Sequence, residues 1–162
     1  MTDPIQTAGY RFAQGFNCSQ AVFTAYAFQL GIDEETALKL ASPFGGGVAH
    51  HRSCREHAGV RRQGEICGAV SGTLMALGLA RGNTTPEKKD ETYRIAEEFI
   101  ERFQELHESI LCRELIGLDI STPDGLQNGK ESGVFKSICP GLVKDGQNSL
   151  QSFWMGTINF SR

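Results

Sequence analysis

The sequence has no C-x-x-C pair, no surplus of basic charge and no apolar run of membrane length. Each absence removes a class of function. Sixteen Lys and Arg against nineteen Asp and Glu leave a net charge of −3, with a pI near 5.8. A protein whose whole surface is an electrostatic footprint for nucleic acid is thereby excluded, although a local basic patch stays open. The longest apolar run, ICGAVSGTLMALGLA, has 15 residues and is broken by Ser, Thr and three Gly, whereas a membrane-spanning helix needs roughly 20. The opening residues, MTDPIQTAGYRFAQ, have neither the basic stretch nor the apolar core of a secretory signal. The expectation is a cytoplasmic protein with no membrane and no nucleic-acid partner. Phosphate-binding loops, dinucleotide fingerprints and G-x-S-x-G elbows are also missing, and the GGG run lacks the Lys and Ser/Thr that a Walker loop needs.

What is present suits one globular domain over residues 1–162. The chain is 40% hydrophobic with 19 glycines, and its mass of 17.7 kDa leaves no room for a second core. Apolar residues recur at helical spacing, and Val, Ile and Thr do not gather into alternating runs, so the class is all-α. We expect a bundle of about five or six helices. Asn17 is a favourable N-cap for a helix to residue 30, closed by Gly31, with a short helix before it around 4–14. Asp33 opens a helix that stops near Pro43. An apolar, small-residue helix covers 66–81, and Thr85–Pro86 starts a long helix over about 86–117, roughly 45 Å at 1.5 Å per residue. Its stripe is Tyr93, Ala96, Phe99, Ile100, Phe103, Leu106, Ile110 and Leu115, expected to pack on the 66–81 helix. Glu97, Glu101 and Glu105 share a face that reads as solvated. The segment DISTPDGLQNGKESG reads as a surface loop, and a last helix starts at Cys139–Pro140.

Five cysteines cannot all pair with one another, and three occupy the same electrostatic position. Cys18 follows an N-cap, Cys67 lies in the first turn of the apolar helix, and Cys139 precedes a helix-starting proline. Unpaired N–H groups and the helix dipole favour negative charge there by roughly 0.3 to 1 kcal/mol and by up to about 2 in sheltered geometry, where a thiol's pKa of about 8.5 would fall towards 7. Cys112 reads as lying late in the long helix, reaching in from its side. Gly68 and Gly72 share a helix face where glycine costs roughly 1 kcal/mol. Something must approach that backbone closely, either another helix or a cofactor.

The segments NCSQAV (17–22), FGGG (44–47), CGAVSGTLMALGL (67–79), SILCRELIG (109–117) and CPGLV (139–143) together resemble the C-GCAxxG-C-C family. These small bacterial and archaeal proteins are described as redox-active and are named for four cysteines and the Gly/Ala-rich segment around the second. The resemblance implies that Cys18, Cys67, Cys112 and Cys139 are the family's four. This chain has CGAVSG where the family name puts glycine before cysteine. It also carries HHRSCREHAGVRR, which looks like an insertion bearing the fifth cysteine and three of the four histidines.

Four thiols meeting at one site allow three chemistries. An iron-sulfur cluster for electron transfer is anionic and suits thiolates ringed by N–H donors. A thiol-disulfide oxidoreductase or sensor needs a low-pKa thiol and a resolving partner, for which Cys112 is a candidate. Structural zinc uses four thiolates but in paired knuckles, whereas the spacings here are 49, 45 and 27 residues. A structural helical protein with inert thiols also stays open, as do the redox partner and a homo-oligomer. In the irregular loop of about 45–64, His51, Cys54 and His57 have spacing suited to a second metal site. Against it, Arg52, Arg55, Arg61 and Arg62 oppose only Glu56, which suits an anion or a solvated basic loop instead. Cys54 is expected outside the group of four, and His107 reads as a hydrogen-bonded or surface residue.

Overall fold

The computed structural model describes the backbone of residues 4–51 and 60–155 and the side chains of 7–48 and 62–152. Its helices are α1 (Pro4–Ala13), α2 (Cys18–Ala27), α3 (Glu34–Ala41), α4 (Gly68–Arg81), α5 (Lys89–His107), α6 (Cys112–Leu115), α7 (Pro123–Glu131), α8 (Val134–Ser137) and α9 (Cys139–Met155). The all-α class holds, with more helices than expected because two are single turns and one lies in the segment that reads as a loop. Among the described residues no helix is long and apolar enough to cross a membrane.

Helix α2 lies at the centre. Its start is set by a capping box: Asn17 Oδ1 accepts from the Gln20 N–H at 3.0 Å, and Gln20 Oε1 accepts from the Asn17 N–H at 3.2 Å. Ser19 and every residue from Ala21 to Ala27 are buried, so α2 is covered on nearly all sides, by α1, α3, α4 and α9. Small residues make this packing close. A Cβ on Gly72 would stand 2.7 Å from the Ser19 carbonyl oxygen, and one on Gly68 would stand 3.1 Å from both the Cys18 Cβ and the Ser19 nitrogen. What approaches the backbone at Gly68 and Gly72 is therefore α2. Around this pair, Phe23, Val70, Phe99, Phe103, Val143 and Leu150 form the main core. A smaller apolar cluster, built on Cys112, Ile116, Ile120 and Cys139, abuts it through Phe12, Cys18 and Ile138.

The long helix is shorter than its periodicity predicts. It ends at His107, where Glu108 takes a left-handed conformation at φ 63°. Ser109 Oγ then accepts the Leu111 N–H at 3.0 Å and turns the chain away. Tyr93 and Leu106 are exposed, so the buried stripe narrows to Phe99 and Phe103 with partly buried neighbours. Helix α5 touches α4 and α9, and its His107 pairs with Asp145 of α9 at 3.2 Å.

The segment read as a surface loop contains α7. Thr122 caps it, its Oγ1 accepting from the Gly125 N–H at 3.0 Å, and Pro123 occupies the first turn. The glycines that suggested a turn are packing positions, with Gly129 beneath the Phe135 ring.

The arms of the inserted loop pair as an antiparallel ribbon, β1 (Ala49–His51) with β2 (Val60–Arg62), Ala49 standing opposite Arg62. The pairing runs on below it, with the N–H groups of Gln63 and Glu65 donating to the carbonyls of Val48 and Gly47 at 3.0 and 3.1 Å. Gly46 and Gly47 have φ of 66° and 70°, and a Cβ on Gly47 would meet the Glu65 nitrogen at 2.4 Å. Only glycine allows both this backbone conformation and this approach. Cys54 and His57 lie outside the described residues, as does the side chain of His51, and with them the candidate second metal site.

Candidate functional site: four thiols beside a cleft

The extended stretch 63–67 is bonded on both edges. One edge meets the glycine loop. On the other, Ile66 bridges to Leu111, the Cys67 N–H donates to the Ile110 carbonyl at 2.8 Å, and the Cys112 N–H donates to the Glu65 carbonyl at 2.6 Å. Residues two apart along a strand point to one side, so this short bridge turns Cys67 and Cys112 towards the same face. Sequence periodicity placed Cys112 on the flank of a long helix. Instead it is the first residue of α6, and all four cysteines stand at helix starts: Cys18 opens α2, Cys67 caps α4, Cys112 opens α6 and Cys139 opens α9.

The four are free thiols and, Cys18 excepted, buried. Cys18 hydrogen-bonds Cys139, and charges on Cys67 and Cys112 also act on it. They sit where the two apolar clusters meet, Cys67 in the larger, Cys112 and Cys139 in the smaller, and Cys18 touching both. Cys18, Cys112 and Cys139 line one cleft of about 920 Å³, large enough for a small organic molecule. Its walls carry Phe12, Phe16 and Phe135, and Arg62, Lys130 and Lys136 also border it. Arg62 lies 5.5 Å from the centre of the Phe135 ring and acts electrostatically on both Cys112 and Cys139.

Burial outweighs the helix ends for two of these thiols. Desolvation raises Cys67 from an ordinary 9.0 to about 11, against a weaker lowering by the N–H groups of Ala69 and Val70. Desolvation, reinforced by Cys67 and Cys139, raises Cys112 to about 12. The expectation that a helix start draws the thiol's pKa down towards about 7 is thus corrected for Cys67: sheltered dipoles offer up to about 2 kcal/mol, and removing a thiolate from water costs more here. The Cys18–Cys139 contact splits its two members. Accepting the Cys18 S–H lowers Cys139, with help from Arg62 and its own helix start, while the same bond and burial raise Cys18 well above the ordinary value.

These shifts fix a stability trend. Cys67 and Cys112 have higher pKa values folded than unfolded, so their contribution is fully present below about pH 9 and is lost as pH rises through 11 and 12. Each should remove ~1.4 kcal/mol per pH unit inside its window. Urea midpoints of the reduced protein at pH 8 and pH 10 should show this drop, and Cys112→Ala should flatten it. An equal slope in that variant would refute the assignment.

Arg62, Phe135, Lys130 and Lys136 escaped sequence reading. Arg62 looked like one of several arginines in a solvated loop, and the other three sit around a segment read as loop. The one available signal was Thr122–Pro123–Asp124, a cap, a first-turn proline and an acid that together announce a helix.

Among the described residues, no group of three or more His, Cys, Asp or Glu side chains is placed to hold a metal ion. No curated protein and no solved structure matches the chain. A family model does, over residues 16–152, which takes in all four thiols. The chain belongs to the C_GCAxxG_C_C family, described as "putative redox-active protein".

Proposed function

We propose that the protein is a thiol-disulfide redox protein whose working pair is Cys18 and Cys139. The observation that carries this reading is the direct Cys18–Cys139 contact in the wall of a cleft that a small molecule can enter. Cys139 is the attacking thiolate, because it is the one thiol of the four held below its ordinary pKa. It attacks one sulfur of a disulfide, the substrate's S–S bond breaks, and the departing thiolate takes the Cys18 proton. The Cys18 thiolate then attacks the Cys139 sulfur, closing a Cys18–Cys139 disulfide and releasing the second substrate thiolate. Two electrons pass from the protein dithiol to the substrate disulfide. Cys67 and Cys112, whose pKa values burial raises to about 11 and about 12, stay protonated while the pair reacts.

A second reading, an iron-sulfur cluster used for electron transfer, is favoured by the gathering of four thiols at four helix starts. It requires the sulfurs to draw closer, since no three of them are placed to hold one metal ion among the described residues. The same mismatch bears on zinc.

One pair of experiments separates the two. Reduced Cys54→Ser protein treated with bis(2-hydroxyethyl) disulfide should yield, by non-reducing peptide mapping, a Cys18–Cys139 disulfide as its main product. Purification without oxygen and with iron supplied should yield no acid-labile sulfide. Stoichiometric iron and sulfide that disappear with Cys139→Ser would instead establish the cluster.

A further inference from the structure

The cleft beside the thiol pair has a sign. Arg62, Lys130 and Lys136 border it, and among the described residues that line it there is no Asp or Glu. Lys130 and Lys136 are exposed, as is Arg62, so their charges face the solvent from which a ligand arrives. The chain as a whole carries −3, and its overall field attracts cations, so the cationic border of the cleft is local and opposite in sign to the net charge. The three positive groups come from three separate elements, β2, α7 and α8. Between them, Phe12, Phe16 and Phe135 supply apolar wall. A neutral apolar substrate would leave the cations without a counterpart, and a cationic one would be repelled.

Resting on the thiol-disulfide reading above, we infer that the cleft selects small disulfides whose arms end in carboxylates, bound with their sulfurs against Cys139 and their charges towards Arg62, Lys130 and Lys136. Clefts lined by one sign of charge raise the local concentration of counter-charged substrate and its on-rate by about 10- to 1,000-fold, an effect that falls with added salt. The redox step is the exchange already given: the carboxylate-bearing disulfide is reduced to two thiols while the protein pair is oxidised.

Three probes share one short-armed skeleton and differ in charge: 3,3′-dithiodipropionate (dianion), bis(2-hydroxyethyl) disulfide (neutral) and cystamine (dication). The rate of Cys18–Cys139 oxidation in reduced Cys54→Ser protein is measured with each at low ionic strength. Each is divided by the rate of dithiothreitol with the same probe, which removes the difference in leaving-group pKa. The normalised rate with the dianion should exceed that with the dication by about tenfold or more, and 0.5 M salt should shrink the ratio. In the Lys130→Gln/Lys136→Gln double variant, whose exposed side chains threaten no core, the ratio should fall towards one. Equal normalised rates for all three probes would overturn the charge selection and leave the thiol-disulfide reading standing. Failure of every probe to close the Cys18–Cys139 bond, while dithiothreitol reacts, would overturn both.

Discussion

Brief alkylation of the reduced Cys54→Ser protein with iodoacetamide at pH 7.5 should place the first label on Cys139, with Cys67 and Cys112 following far more slowly. The argument is one of thiolate population. With Cys67 at about 11 and Cys112 at about 12, and Cys139 below an ordinary 9.0, the thiolate fractions differ by at least about a hundredfold. A higher-pKa thiolate is intrinsically the better nucleophile, which returns about tenfold of that advantage for Cys67. A margin of at least about tenfold remains, wider for Cys112. Access adds to it, because Cys139 lines the cleft while Cys67 does not. Arg62→Gln should slow labelling of Cys139 by removing a nearby positive charge. Peptide mass spectrometry after quenching reads the order directly. First labelling at Cys67 or Cys112 would show that burial does not set the ranking described above.

The second large effect is steric. Gly72→Val should destabilise the protein by about 3 kcal/mol or more, because even the first carbon added there would stand 2.7 Å from the Ser19 carbonyl oxygen and 3.2 Å from the Ser19 Cα. Those are backbone atoms of the central helix and cannot swing aside as a flexible side chain would. The helices would have to separate at the end that holds Cys18, so the variant should also lose the Cys18–Cys139 disulfide. Gly78 supplies a contrast within the same helix. It is exposed, and nothing lies within 4 Å of a Cβ placed there, so Gly78→Ala should stabilise by about 0.5 to 1 kcal/mol through backbone entropy alone. Urea denaturation of both variants gives the comparison. A Gly72→Val protein as stable as the parent would mean that α2 and α4 are not in contact at this glycine.

Local signals were legible where they were chemical and short-range. Asn17, Gly31, Asp33 and Cys139 mark element ends within a few residues, because caps and left-handed closures depend on neighbours in the chain. The end of α5 was not legible: Glu108 adopts the left-handed conformation without being glycine, and Ile110 and Leu115 continue the apolar period across the break. What stops the helix is the pairing of Ile66 with Leu111, residues 45 apart. For α7, glycine in a polar segment signals a turn, although at Gly125 and Gly129 the lack of a Cβ serves close packing against Asp119 and Phe135.

By itself the sequence determined that this is an all-α chain, that four cysteines stand in the order of a redox-active family, and that three of them begin helices. Those properties reside in residue type and spacing. Only the tertiary structure decided how the thiols differ. A thiol's pKa depends on what replaces water around it, and that is set by burial together with segments distant in the chain: Cys139 for Cys18 and Cys67, and Arg62 for both Cys112 and Cys139. The cationic border of the cleft is likewise invisible in a net charge of −3, because Arg62, Lys130 and Lys136 become neighbours of one cavity only when β2, α7 and α8 close around it. Charge balance is a sum over the chain, whereas a binding site's field falls off within about 10 Å and answers to the few groups that folding brings inside that radius.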